Sequence, residues 1–180
     1  MIACLDHGFV ELISVAPSSS NYKKIVDQMC GNKINRNLLK MPMIYFKISA
    51  PLFVINSLNS FKKITDNSYK PLVYHPKIDE INAKDLDTSS EITSSIISTI
   101  EAGLINQLTY QEDGCNPFIS TFTNTVCTYW SGVIYGDLDT WCSFFKEKHA
   151  PHQIKVYQKA VEDLLKLEYP YLDDYLRRVT

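Results

Sequence analysis

Between residues 42 and 63 the chain reads PMIYFKISAPLFVINSLNSFKK, and its hydrophobic period changes partway through. Residues 43–49 alternate bulky and polar, with Ile44, Phe46 and Ile48 on one side, which is the period-2 pattern of a half-buried strand. Ala50-Pro51 changes the period. Pro51 has φ fixed near helical values and no N–H to leave unpaired, so it suits a first helical turn. Leu52, Phe53, Ile55, Leu58 and Phe61 follow at helical spacing and predict a helix from 51 to about 63.

The same reading runs along the rest of the chain. Residues 1–15 predict a strand or strand pair with a turn near Asp6-His7-Gly8. A loop at 16–20 precedes a short helix over 21–30, which Gly31-Asn32 ends as a left-handed cap would. Residues 35–40 form a connection or single helical turn. Asp66-Asn67-Ser68 is turn chemistry. Residues 71–76 are bracketed by prolines and are extended, or an edge strand at most. Residues 79–87 read as loop. Thr88-Ser89-Ser90-Glu91 is a capping box, and it opens a helix through Ile92, Ile96, Ile97, Ile100, Leu104 and Leu108. Residues 111–117 break that helix. Residues 118–135, rich in Thr, Phe, Tyr and Val, have strand propensity. Asp137 suits an N-cap for a helix through Trp141, Cys142 and Phe145. Pro151 opens another, with Ile154, Tyr157, Val161, Leu164 and Leu165 on one face, and Pro170 opens a last short one. The sum is α+β, helix-rich, with a small antiparallel sheet, over one domain of residues 1–180.

Composition narrows the function. The formal charge of −2 gives no electrostatic footprint for nucleic acid. The five cysteines, Cys4, Cys30, Cys115, Cys127 and Cys142, are odd in number and form no C-x-x-C, so neither a zinc pair nor a redox motif is suggested and a reduced, cytoplasmic protein is expected. The opening residues, with Asp6 and His7, read as a strand rather than a secretory leader, and no apolar run approaches the ~20 residues of a membrane span. His149 and His152 are three apart but lack a third ligand, so no metal is expected.

The strand, Ala-Pro and helix unit at 43–63 resembles the flavin-dependent thymidylate synthases, where a strand runs into Ala-Pro-(Ile/Leu)-Phe-Val and the helix carries R-H-R-x-x-S. The opening LDHGFVELI is similar to the family's first strand, an L-D-x-G-x-V-E-L string. His149-Ala150, Ile154, Tyr157 and Ala160 are similar to its C-terminal helix. The resemblance implies that fold, and a helix over much of 118–135; this expectation is followed here over strand propensity. It also implies FAD, dUMP, methylenetetrahydrofolate and NADPH as ligands, and a homo-oligomer, dimer or tetramer, with sites between subunits.

The signature itself is altered. Anchored on Ala50-Pro51, the Arg-His-Arg positions hold Ser60, Phe61 and Lys62, and the Ser position holds Thr65. The nucleotide contacts fall near Ser68, Lys70 and Leu72, and the C-terminal arginine falls on Phe145. Phosphate is held best by the bidentate guanidinium fork, and the chain has only Arg36, Arg177 and Arg178. Residual nucleotide binding is therefore assigned to Ser60, Lys62, Thr65 and Lys70, against the plainer reading of a solvated helix end. Cofactor contacts are assigned to His149, Tyr129 and Trp130. The plainer reading of the aromatic cluster Tyr129, Trp130, Tyr135, Trp141, Phe144 and Phe145 is core or subunit interface. The expectation is a relative without dUMP methylation, acting as a binding, scaffolding or regulatory protein. The alternatives are a flavoenzyme with a changed pyrimidine nucleotide, or a partner-binding inhibitor with no nucleotide chemistry.

Overall fold

The computed structural model describes residues 1–18, 21, 24–25, 39–66, 72–80, 86–115, 120, 123–145, 147, 149–170 and 172. The expected helix over 21–30, the connection at 35–37, the turn at 67–68, the last helix after Pro170 and Lys70 lie wholly or largely outside those residues.

Five antiparallel strands form one sheet in the order β1-β2-β3-β5-β4: β1 (Ile2–Cys4), β2 (Gly8–Ala16), β3 (Met43–Pro51), β4 (Lys62–Thr65) and β5 (Tyr129–Asp137). Helix α1 (Leu52–Ser57) follows β3, α2 (Leu86–Glu112) stands between β4 and β5, and α3 (Leu138–Phe145) and α4 (His152–Glu168) close the described chain. A 3-10 turn at Ile78–Glu80 precedes α2. The α+β class, helix-rich with a small antiparallel sheet, is as the hydrophobic pattern implies. Among the described residues no helix is long and apolar enough to cross a membrane.

Alternation decides which face is core. Ile48 lies across from Val10 and Gly132, Phe46 across from Leu12 and Ile134, and Ile44 across from Val15 and Gly136. Val10, Ile44, Phe46, Ile48 and Ile134 are buried beneath α1, α3 and α4. An irregularity at Ile13 in β2 restores the period so that Val15 points inward again. The two glycines of β5 allow close approach on this face: a Cβ at Gly136 would lie 2.8 Å from the Phe61 ring, and one at Gly132 would lie 2.2 Å from the Ile64 carbonyl and 2.6 Å from the Trp130 indole. On the opposite face Tyr45 and Tyr135 stack at 5.2 Å across the β3–β5 pair.

Helix α1 is shorter than its pattern. It ends at Ser57, whose hydroxyl donates back to the Val54 carbonyl at 2.6 Å. Such back-bonding by serine competes with helix propagation. Leu58 and Phe61 then turn inward on successive bonds to Ile55 and Leu58 carbonyls, and Lys62 and Lys63 become an edge strand paired to β5, not a helix end. The N–H groups of Leu52 and Phe53, which a proline cap cannot serve with a side chain, donate to the carbonyls of Thr128 and Val126 at 2.9 and 3.0 Å.

Two further expectations are corrected. Residues 129–137 are the strand their propensity indicates, not helix, because β5 is an interior strand paired on both sides. Helix α2 begins at Leu86, two residues before the expected capping box, so Thr88 lies inside its first turn. The Asp137 cap is present: its carboxylate accepts from the Thr140 N–H at 2.7 Å and the Thr140 hydroxyl at 2.8 Å. Pro151 precedes α4, whose buried side is Ile154, Tyr157, Val161, Leu164 and Leu165, as its spacing requires.

Candidate functional site

The signature segment delivers its residues to three different places. Ser60 lines a cleft of about 280 Å³ between the end of α1 and α3. The cleft presents the hydroxyls of Ser57, Ser60, Thr140 and Ser143, the carboxylates of Asp139 and Glu147, and the rings of Phe61 and Phe144. Among the described residues no lysine or histidine lines it. Asp139 is buried there, in the first turn of α3.

Phe61, where the family signature has its histidine, belongs to the core. Its ring centroid is 4.1 Å from that of Trp141 and 6.3 Å from that of Phe144, and Trp141 in turn meets Phe46 edge-on at 4.9 Å. Trp141 has no solvent exposure.

Lys62 and Thr65 lie on β4, opposite Tyr135 and Gly132 respectively. They are three apart on a strand, so their side chains leave from opposite faces. Thr65 shares its face with Lys63 and accepts the Trp130 Nε1–H at 3.2 Å. Burial lowers the Lys63 ammonium. Thus the structure joins Thr65 to Trp130, and separates both from Lys62 and from the Ser60 cleft.

The residues assigned to a cofactor are also dispersed. His149 sits exposed in a turn ahead of α4 rather than within that helix. Trp130 is half-buried over Gly132. Tyr129 is buried at the end of the sheet where the β1–β2 turn, residues 72–75 and α4 meet. Its hydroxyl donates to the Asp6 carboxylate and accepts the His7 N–H at 3.4 Å. Among the described residues no hydrogen bond or ring contact joins His149 to Tyr129 or Trp130. Among the described residues no group of three or more His, Cys, Asp or Glu is placed to hold a metal ion.

Sequence reasoning missed the Asp6 network. Asp6 accepts from its neighbour His7 N–H at 3.0 Å, from His75 N–H at 3.2 Å and from Tyr129, so one carboxylate ties three distant segments. Close by, the Tyr157 hydroxyl donates to the Ser49 carbonyl at 3.0 Å, and Tyr74 donates to Glu80. Burial, then the Asp6 carboxylate, pushes the Tyr129 phenol up. Burial first also raises Tyr157 and Tyr74, and it pushes the Cys4 thiol up to about 12. The glycine in the turn has a specific reason: a Cβ at Gly8 would collide with the Tyr157 hydroxyl and lie 2.6 Å from the Cys4 carbonyl. The only signal for this network in the sequence is the LDHGFVELI string, whose partners lie 69 and 123 residues away from Asp6.

No protein-family model matches the sequence, and no curated protein matches it. Among solved structures the chain is similar to a UMP/dUMP methylase, PolB, from Streptomyces cacaoi, bound with 5-Br UMP. The TM-score is 0.71 over 98% of this chain and 96% of that one, at 11% identity. The likeness is one of fold.

Proposed function

We propose that the chain is a single-domain, much-diverged relative of the flavin-dependent thymidylate synthases that has lost dUMP methylation and serves as a binding, scaffolding or regulatory protein. The observation that carries this reading is the burial of Phe61 against Trp141, beside a cleft whose charged groups are Asp139 and Glu147. A phosphate needs cations in fixed geometry. Here the position aligned with the signature is filled by core hydrocarbon, the adjacent cleft presents two carboxylates among its described residues, and the sequence holds only three arginines, Arg36, Arg177 and Arg178. The full-length likeness to a methylase fold supports the ancestry.

The residual nucleotide contacts proposed for Ser60, Lys62, Thr65 and Lys70 act at most as scattered point charges and hydroxyls, because Lys62 and Thr65 leave opposite faces of β4. Point-charge attraction is screened within ~8 Å at physiological salt, so a pyrimidine monophosphate binds weakly and in a salt-sensitive way.

A direct test incubates the purified protein with FAD, dUMP, methylenetetrahydrofolate and NADPH. The expected result is a colourless protein and no thymidylate. Turnover would overturn the proposal. A yellow protein without dUMP turnover would favour a second reading, a flavoenzyme acting on another pyrimidine nucleotide, which draws its support from the 5-Br UMP bound to the methylase of like fold.

A further inference from the structure

Helix α2 is largely exposed along its length. Of its residues Ser89, Thr93, Ile100 and Gln107 are buried, and its main packing partner among the described elements is the 3-10 turn Ile78–Glu80. The seam between them is loosely filled: a depression of about 670 Å³ runs along it, lined by Pro76, Ile78, Thr93 and Ile97 among others.

His75 stands at this seam. Its main-chain N–H is fixed to Asp6 at 3.2 Å, so the residue is anchored to the body of the protein. Its imidazole Nε2 lies 3.6 Å from a Glu101 carboxylate oxygen on α2. The ring as a whole is 40% exposed, yet Nε2 is closed to solvent and has no hydrogen-bond partner among the described residues. A shielded ring nitrogen facing a carboxylate beyond hydrogen-bond distance is poorly satisfied while the ring is neutral. With a second proton the same geometry is an ion pair.

We infer that His75 is a proton-operated latch for helix α2: gaining a proton draws Glu101, and with it the helix, onto residues 72–80, and losing the proton loosens that seat. Other titratable and charged groups lie near this seam. Asp6 and His7 approach from the β1–β2 turn, Lys77, Asp79 and Glu80 from the same loop, His152 of α4 from the adjoining depression, and Glu101 from α2. Histidine is the side chain whose charge ordinarily changes between about pH 5 and 8, which sets the pH values of the test. Once acid neutralises Glu101 the attraction is gone.

Hydrogen exchange on the full chain tests this, read on amides of residues 93–104 at about pH 6 and about pH 8 and corrected for intrinsic exchange rates. The expected protection is about two- to five-fold greater at the lower pH, the range for a partly exposed ion pair. His75→Gln and, independently, Glu101→Gln should each abolish the difference. Glu101 is 52% exposed, so its variant stays folded even if the His75 variant does not. Equal protection at both pH values in the unaltered protein would overturn the latch. So would a pH difference that persists in Glu101→Gln, which would transfer the effect to His7 or His152.

Discussion

Phe61 shows how one side chain can turn a signature position into a packing position. Its ring closes over Gly136, where a Cβ would lie 2.8 Å away, and it tilts onto Trp141 at 4.1 Å between centroids. Replacing it by the histidine of the family signature therefore does not rebuild a site. Phe61→His would trade ring packing on Trp141 and Phe144 for an imidazole at the wall of the Ser60 cleft, and a polar nitrogen left unmatched on the core side costs roughly 1–3 kcal/mol. The expected outcome in urea denaturation is a loss of about 2–3 kcal/mol with no thymidylate formed. A near-neutral effect on stability would mean that residue 61 faces solvent or a site rather than the core. The sequence signals hydrophobicity at 61, but helical spacing alone does not tell a core phenylalanine from one lining a pocket; the ring's neighbours lie 80 and 83 residues away, at Trp141 and Phe144.

At the scale of elements, the outcome turned on where local rules met long-range pairing. Asp137 serves as the α3 cap that its sequence position suggests, because capping is settled within one turn. Asp137→Ala removes the acceptor that Thr140 uses twice. It should lower stability by about 1 kcal/mol, and Asp137→Ser should recover most of the loss in the same melting experiment. Strand β3 and helix α4 were equally legible, one from its alternation and the other from its 3.6-residue stripe. The end of α1 was not, because the pairing of Lys62–Thr65 with β5 depends on residues some 70 positions further on. For β5 itself the propensity of its Tyr, Val and Ile residues was the better guide, since a strand paired on both edges rewards β-branched and aromatic side chains. The candidate site was the least legible part. Asp139 and Glu147 join Ser60 only through the packing of α3 against α1, and no spacing in the sequence links them.

For the whole molecule, buried weak acids set a pH limit. Burial pushes Cys4 up to about 12 from 9.0 and raises Tyr74, Tyr129 and Tyr157 above the ordinary 10.0. The fold favours the neutral forms, and the unfolded chain loses these protons first. Their stabilising contribution is thus complete below about pH 9 and declines as the pH climbs towards the raised values. The urea midpoint should be flat from about pH 7.5 to 8.5 and fall steadily above about 9.5. Tyr157→Phe should flatten that fall, and an alkaline slope unchanged in the variant would assign it to other groups.

Self-association is expected from a different property of the whole molecule, the distribution of apolar surface. Of the aromatic cluster read as core or subunit interface, Tyr129, Trp141 and Phe144 are buried within the chain. Several exposed apolar residues share one element, α2, where Ile92, Ile96, Ile105 and Leu108 are 39, 37, 61 and 42% exposed. At 100° per residue Ile92 and Ile96 are about 40° apart, whereas Ile105 lies about 180° from Ile96. Helix α2 thus carries two apolar patches on opposite sides, towards its two ends. One patch meeting its copy about a two-fold axis gives a dimer, and a second, independent patch doing the same gives a closed tetramer. Sedimentation should show an assembly heavier than the 20.6 kDa chain at micromolar concentration. Ile92→Gln with Ile96→Gln should reduce it by one step, Ile105→Gln with Leu108→Gln should reduce it by the other, and the four changes together should leave monomer. A monomer mass for the unaltered chain across that range would overturn self-association, and an assembly that survives all four changes would move the contact off α2.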